Sequence, residues 1–262
     1  MKLSIIIPVY NSAKILPELT EQIVNNLKNK ITSFEIYFIN DCSNDNSWNI
    51  IVNLSKKYSW VKGINLKNNY GQHNAVMAGL NLCNGDDVIL MDDDLQHDPK
   101  YIYEIYLQLQ SSYDACYVNY LNRKHKLWKK AVSWINNLIC SFLINKPIKI
   151  YTSSFKGIKK KVVKKMILFK EKDSFLDWLV FVNATKVTII DVEHQERHSG
   201  NTTYSLVKLL YLWSSMIMIV PLKTRLSTFI PLAILKILVK ICYLFSNKKI
   251  NTEQYIISDT TY

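Results

Sequence analysis

The chain has 262 residues, of which 48% are hydrophobic and 21% charged, and its formal net charge is +12. This length accommodates one α/β domain with a full core and a short appendage, and the composition excludes both a disordered chain and a polytopic membrane protein. The charge is unevenly divided: residues 1–125 hold 11 Lys/Arg against 13 Asp/Glu, whereas residues 126–262 hold 22 against 8, so the second half would attract anionic lipid or phosphorylated substrate, or simply be a solvated basic face.

Leu3–Val9 is an apolar run of the kind found in a strand buried on both faces. It follows Met1-Lys2 directly and ends at Pro8-Val9, too short for the core of a secretory signal. Ile15, Leu19, Ile23 and Leu27 then recur at helical spacing across residues 12–29. Phe34–Ile39 reads as a strand, Ser47–Leu54 as a helix, Val61–Leu66 as a strand, Asn74–Leu82 as a helix and Asp87–Met91 as a fourth strand. This alternation predicts a parallel, doubly wound sheet. Residues 113–118 continue as a fifth strand, 125–145 as a basic amphipathic helix with Trp128 and Trp134, 159–168 and 174–182 as helices and 186–192 as a strand. From about residue 204 the chain turns strongly apolar, and after Ser246 it becomes a polar tail expected to be poorly ordered. The five cysteines, at 42, 83, 116, 140 and 242, are odd in number and lack CxxC spacing. That argues against a disulfide framework or a zinc site and fits a reducing compartment.

In a doubly wound sheet, ligands gather at the carboxyl ends of the strands. Here the first four strands are followed by Pro8-Val9-Tyr10-Asn11, Asn40-Asp41-Cys42-Ser43-Asn44-Asp45, Asn68-Asn69-Tyr70-Gly71-Gln72 and Asp92-Asp93-Asp94-Leu95-Gln96. Three consecutive carboxylates repel one another unless a cation sits among them. Their hard oxygens suit Mg²⁺ or Mn²⁺, and a metal held by one or two carboxylates binds a nucleotide diphosphate through its phosphates and stabilises the diphosphate as a leaving group. In an extended segment Asp92, Asp94 and Gln96 point to one side, which makes them the candidate metal ligands. An acidic, solvated turn ahead of a helix near Pro99 is the plainer alternative.

Together these loops resemble family 2 glycosyltransferases of the GT-A fold, and more narrowly the dolichol- or polyprenyl-phosphate sugar transferase group. Ile5-Ile6-Ile7-Pro8-Val9-Tyr10-Asn11 is similar to that family's first strand and loop, Asn40–Asp45 to its DDGSxD loop, and Asn69–Ala75 with Ala78-Gly79-Leu80 to its third loop. Met91-Asp92-Asp93-Asp94-Leu95-Gln96 resembles MDxDLQ, Ser153-Ser154-Phe155-Lys156 resembles S-x-F-R, and Arg197–Tyr204 resembles R-x-x-G-x-S-K-Y. The resemblance runs from residue 3 to about 222.

It implies a mostly parallel sheet with helices on both faces and an inverting transfer of sugar from a nucleotide-diphosphate sugar, UDP first, with GDP or dTDP as alternatives. Carried over by position, Pro8, Tyr10 and Asp41 would line the base and ribose pocket, with Asn11, Ser43, Gln72, Asp92 and Asp93 completing the donor site. Asp92, Asp94 and Gln96 would hold Mg²⁺ or Mn²⁺, while Arg123, Lys156, Arg197 and Tyr204 would meet donor or acceptor phosphate. Asp94, Arg197 and Asp177 are the catalytic candidates. The chain departs from the pattern at Asn40, where the family has Asp, and at Ser12 and Ala13, where a Glu often follows. It departs again at Tyr151, at Lys156 in place of Arg and at Thr203 in place of Lys. These changes bear on the sugar, the base and the acceptor contacts rather than on the metal ligands.

The acceptor decides whether a base is needed. A polyprenyl phosphate is already anionic and needs cations to position it. The alternative acceptor, a sugar hydroxyl of a lipid-linked saccharide in surface polysaccharide assembly, needs a carboxylate or histidine. Asp173, Asp177, Glu193 and His198 are available; the apolar setting of Asp177 in Phe175-Leu176-Asp177-Trp178 would raise its pKa, although a helix-surface aspartate is the plainer reading.

Residues 1–203 are thus expected to form the transferase domain, 204–246 membrane-associated helices and 247–262 the polar tail. Leu206–Leu222 contains Lys208 and breaks at Pro221, while Leu226–Phe245 is long enough to span a bilayer but carries Pro231, Lys236 and Lys240. Two lysines on one helix face favour a helix lying in the interface, monotopic on the cytoplasmic face, with one span as the alternative. Lys223, Arg225, Lys248 and Lys249 would meet anionic lipid. A non-catalytic membrane-associated module that keeps the fold is the reading of another class, and an oligomer is compatible with all of them. Nucleic acid is not an expected partner, because the Asp-rich sheet edge repels phosphates.

Overall fold

All seven residues of Leu3–Val9 are buried, so this strand can lie only in the middle of a sheet covered on both sides. It is β1, and in the computed structural model it is followed by β2 (Phe34–Asn40), β3 (Val61–Leu66), β4 (Asp87–Leu90), β5 (Ala115–Leu121), β6 (Lys156–Lys159), β7 (Val187–Glu193) and β8 (Ile257–Thr260). The helices are α1 (Leu16–Leu27), α2 (Ser47–Lys57), α3 (Gln72–Leu82), α4 (Tyr101–Ser111), α5 (Lys160–Met166) and α6 (Leu176–Asn183). The structure describes residues 1–121, 134, 137, 138, 140, 141, 144, 146–170, 175–193 and 254–262. Within the expected 125–145 helix, the described positions 134, 137, 138, 140, 141 and 144 are helical. Arg123, Asp173, Arg197, His198, Tyr204 and the apolar region 204–246 lie outside the described residues. Among those described, no helix is long and apolar enough to cross a membrane.

The eight strands form one sheet in the order β7-β5-β6-β4-β1-β2-β3-β8. β1 pairs in parallel with β2 and β4, β2 with β3, and β5 with β7, whereas β6 and β8 run antiparallel to their neighbours. The carboxyl ends of six strands therefore meet on one edge. Alternate residues of the strands enter two cores. Ile5, Ile7 and Phe38 pack with α1, α2 and α4 on one face, and Ile6, Tyr37 and Ile39 pack with α3, α5 and α6 on the other. This is the doubly wound sheet expected from the alternation.

Two strands were not expected. β6 has only four residues, Lys-Gly-Ile-Lys, too few to show a period. It enters between β4 and β5, and Gly157 is needed there because a Cβ would lie 2.4 Å from Ile105 of α4. β8 corrects the expectation of a poorly ordered tail: Ile64 registers with Thr260, the Lys67 N–H donates to the Ile256 carbonyl, and Gly63 exchanges bonds with Thr261. Tyr255, Ile256 and Ile257 pack against the core on the α3 side. A four-residue polar strand gains its stability by covering an open sheet edge, which period analysis of the tail alone does not reveal.

Candidate active site

The loops after β1, β2, β3 and β4 share an unusual backbone. Asn11 (φ 58°), Cys42 (φ 56°), Gly71 (φ 87°) and Leu95 (φ 59°) all adopt the left-handed region, and they are the positive-φ residues among those described. For non-glycine residues this conformation costs on the order of 1–2 kcal/mol, and it clusters at sites where loops must present side chains in a fixed way.

Hydrogen bonds stitch the loops together. The N–H of Asn11 donates to Ser43 Oγ at 3.0 Å, and Asn11 Oδ1 accepts from the Asn44 N–H at 2.8 Å. Asp45 accepts from the N–H groups of Ala13 and Ser47, both at 3.0 Å. Burial would raise its pKa, but these bonds and the Ser47 hydroxyl lower it. Asp41 ties down the third loop, since its two oxygens accept from the N–H groups of Tyr70 and Gly71 at 2.7 and 2.8 Å. Asn40 donates to Asn65 Oδ1 at 2.7 Å, so the amide that replaces the family's aspartate bonds across β2 and β3.

These loops enclose a cleft of about 420 Å³ lined by Pro8, Val9 and Tyr10 after β1, Asp41 after β2, Asn69, Gly71 and Gln72 after β3, and Asp92, Asp93 and Asp94 after β4. Seven candidates from the sequence thus converge: Pro8, Tyr10, Asp41, Gln72 and the three consecutive aspartates. Asn11 and Ser43 do not line the cleft; they brace its walls. Gln96 is also outside the lining, with its backbone N–H donating to Asp94 Oδ1 at 3.1 Å. The helix near Pro99 is real, as α4, and the acidic segment is the loop leading to it.

The carboxylates are crowded and have neutral donors. Asp92 accepts from Gln72 Nε2 and from Ser154 Oγ, each at 2.6 Å. Asp93 accepts from the Tyr10 N–H at 3.3 Å. Burial, assisted by the charges of Asp92 and Asp94, pushes the Asp93 pKa up to about 6 despite hydrogen bonds from Ser12 and Tyr10. Among the described residues, no lysine or arginine lines the cleft. Hard oxygens in a negatively charged pocket fit a divalent cation. Among the described residues no group of three or more His, Cys, Asp or Glu side chains is arranged to hold a metal ion by itself; a divalent cation held by one or two carboxylates takes its remaining ligands from water or phosphate oxygens.

Two expectations need correction. Lys156 is not open to a phosphate: it is 3% exposed, and its ammonium pairs with the buried Asp177. The antiparallel run of β6 turns its side chain into the core over the ring of Tyr117. Asp177 is not a surface residue or an available base; it is buried and also accepts from the Tyr117 hydroxyl at 2.9 Å. The apolar surroundings read from the sequence are there, but a lysine 21 positions earlier supplies the counter-charge. Conversely, His97, Ser154 and Asn69 contribute to the site without having been candidates. Ser154 lay within the S-x-F-R-like segment and Asn69 within the third-loop segment, whereas His97, directly after the acidic segment, carried no signal beyond its proximity.

The chain can now be set beside known proteins. Residues 4–167 match the family model of glycosyl transferase family 2. Among curated proteins it is similar to the undecaprenyl-phosphate 4-deoxy-4-formamido-L-arabinose transferases of Photorhabdus laumondii subsp. laumondii (32% identity over 80% of this chain and 65% of that protein) and Serratia proteamaculans (33% over 82% and 67%). It therefore spans about two thirds of the length of these relatives. Among solved structures it resembles S. aureus TarS 1–349 in complex with UDP-GlcNAc (TM-score 0.55, 19% identity, 85% of this chain and 68% of that one). It also resembles the mannosyltransferase PcManGT from Pyrobaculum calidifontis in complex with GDP-Man and Mn²⁺ (TM-score 0.61, 13% identity, 92% and 69%). With the GT-A sheet, the four-loop cleft and these matches in hand, the chain belongs to glycosyl transferase family 2.

Proposed function

We propose that this glycosyltransferase moves a sugar from a nucleotide-diphosphate sugar to a polyprenyl phosphate at the cytoplasmic face of a membrane, with inversion. The observation that carries this reading is the cleft itself, where three crowded carboxylates meet Tyr10, Asp41 and Gln72 at the ends of four strands. The polyprenyl acceptor is supported by the names of the curated relatives. It is also supported by the engagement of Asp177 with Lys156 and Tyr117, because a phosphate nucleophile needs no base.

In this reading Asp92 and Asp94, with Gln96 as the third expected ligand, hold Mg²⁺ or Mn²⁺. When bound, the ion supplies the positive charge that stabilises a diphosphate leaving group. Tyr10, 47% exposed at the cleft, and Pro8 offer apolar faces to the base. Asp41 is held rigid by two backbone N–H groups and lines the cleft on the side where the base and ribose would lie. UDP is the first donor to test, followed by GDP and dTDP. Arg123, Arg197 and Tyr204 are the proposed contacts of the acceptor phosphate, and the basic second half of the chain, including Lys236 and Lys240, its contact with anionic lipid.

The test is transfer from UDP-, GDP- and dTDP-sugars, with Mg²⁺ or Mn²⁺, in the presence and absence of polyprenyl phosphate. Consumption of one donor only with metal and polyprenyl phosphate together supports the proposal. A donor that binds with metal but never glycosylates polyprenyl phosphate replaces the acceptor with a saccharide hydroxyl. Failure of every donor to bind overturns the proposal.

A further inference from the structure

We propose that His97, acting with Ser154, is a positioning residue that fixes Asp92 in its metal-binding orientation; the inference rests on the reading of Asp92 as a metal ligand. His97 is 5% exposed and its ring stacks against two aromatic rings. Phe155 is 4.9 Å away at an interplanar angle of 12°, and Tyr120 is 6.1 Å away at 19°. The ring plane is therefore set by packing before any polar contact is made.

The polar contacts then fix its tautomer. The backbone N–H of Asp92 donates to His97 Nδ1 at 2.9 Å, so in the neutral ring the proton is on Nε2. That nitrogen faces Ser154 Oγ at 3.4 Å and Asp92 Oδ2 at 3.7 Å. Ser154 Oγ uses its own proton on Asp92 Oδ2 at 2.6 Å, which leaves its lone pairs directed to the histidine. His97 thus holds Asp92 twice, through its backbone and through the serine on its carboxylate. Gln72 holds the other oxygen at 2.6 Å.

The three holding residues come from separate pieces of chain: the first residue of α3, the loop before α4, and the segment leading into β6. Such convergence fixes the carboxylate plane from both sides. The choice of neutral donors matters as much as the geometry. Among the described residues, each oxygen of Asp92 accepts one hydrogen bond from a neutral donor and no ammonium pairs with it. A lysine in the place of Ser154 would orient the carboxylate equally well and would compete with the cation for it. Groups that orient a ligand in this way typically contribute 10–100-fold to metal affinity.

The alternative role for His97 is to fill space against Phe155 and Tyr120, and substitutions can separate the two. His97→Phe keeps the stacked ring but neither accepts nor donates. His97→Asn keeps an acceptor near the Nδ1 position. Ser154→Ala removes the hydroxyl alone. The measurement is the Kd of Mn²⁺ for the full chain at saturating UDP, from the electron paramagnetic resonance signal of free Mn²⁺. Metal-free UDP affinity and melting temperature are recorded in parallel. The expected result is a Kd raised about 10–100-fold in His97→Phe and Ser154→Ala, partly restored in His97→Asn, with metal-free UDP affinity unchanged in all three.

Mn²⁺ affinity equal to the parent in both His97→Phe and Ser154→Ala overturns the positioning role, provided Asp94→Ala still weakens Mn²⁺ binding. If His97→Phe does not fold, Ser154→Ala decides: weakened Mn²⁺ binding supports the role and parental binding overturns it. A parent protein that binds no Mn²⁺ with UDP overturns the metal reading itself, and the positioning role with it.

Discussion

Carboxylates occupy both edges of the sheet, and their surroundings differ. At the amino edge, Glu35 pairs with Lys2 at 2.6 Å and Lys62 at 3.1 Å and accepts from Ser4 Oγ. Asp114 on the same edge pairs with Lys161 at 2.5 Å and accepts from the Thr185 N–H at 2.9 Å. Burial would raise both acids, yet these contacts hold Glu35 down at about 2 and Asp114 well below the usual carboxylate range. At the carboxyl edge, the hydrogen-bond donors to Asp92 and Asp93 among the described residues are a glutamine, serines and a backbone N–H, and Asp93 is pushed up to about 6. All the described positive-φ residues lie on that second edge as well. One edge uses acids to hold strands and helices together. The other stores charge repulsion and backbone strain, the pattern of a site that waits for a ligand.

The comparison makes opposite predictions for removal of an acid on the two edges. Asp94→Ala, or Asp92→Ala, should lower sugar transfer by roughly 10²–10³-fold or more without lowering the melting temperature, because it relieves repulsion. A variant that loses melting temperature in proportion to activity breaks the distinction. Glu35→Gln should do the reverse, costing about 2 kcal/mol at neutral pH from lost charge-assisted hydrogen bonds while sparing donor affinity. The pH dependence has a definite sign. Glu35 is lowered from 4.5 to about 2 on folding, so its contribution is complete above about pH 4.5 and is lost as the pH falls towards 2. Denaturant titrations should show a shallower loss of stability across that interval in Glu35→Gln than in the parent.

Asp93 sharpens the contrast further, since its pKa moves the other way. It is raised from 3.8 to about 6, so the folded metal-free protein holds this proton more tightly than the unfolded chain. Stability should therefore fall as the pH rises from about 4 to 6 and stay lowered above. Asp93→Asn removes the ionisation. It should raise the melting temperature of the metal-free protein by several degrees above pH 6 and leave it unchanged below pH 4. A parent curve that is flat between pH 4 and 6 would show that the carboxyl edge is not repulsive.

How much of this was legible in the chain follows from where each signal resides. β1 to β4 and the loops after them were readable because strand, loop and helix follow one another locally; Val61–Leu66 was delimited as β3 appears. The resemblance of Asp92–Gln96 to MDxDLQ located the acidic loop, and the strand ends located its neighbours. What was not readable depends on tertiary pairing. β6 is defined by its insertion between β4 and β5, and β8 by the open edge of β3. Lys156 and Asp177 each looked functional alone, and only the packing of α6 against β6 and β5 shows that they neutralise one another. His97 was hidden for the same reason, because its contacts to Asp92, Ser154 and Phe155 need the β4 and β6 loops side by side.

The smallest predicted effect concerns strain. Cys42 stands where the family's loop has glycine, and it carries φ 56°, a conformation that glycine adopts without the Cβ clash. Its Sγ makes a weak hydrogen bond to the Lys67 carbonyl at 3.7 Å. Cys42→Gly removes that contact and the clash, and it enlarges the entropy of the unfolded chain. The first and third of these oppose the second. The strain at a non-glycine left-handed residue is about 1–2 kcal/mol, and the unfolded-state term is about 0.4–1 kcal/mol. A net stabilisation of about 0.5 kcal/mol is therefore expected from urea titration, with donor affinity unchanged. A clear loss of stability would mean that the Cys42 side chain contributes more to the carboxyl edge than its backbone costs, and that strain on this edge is not what separates it from the other.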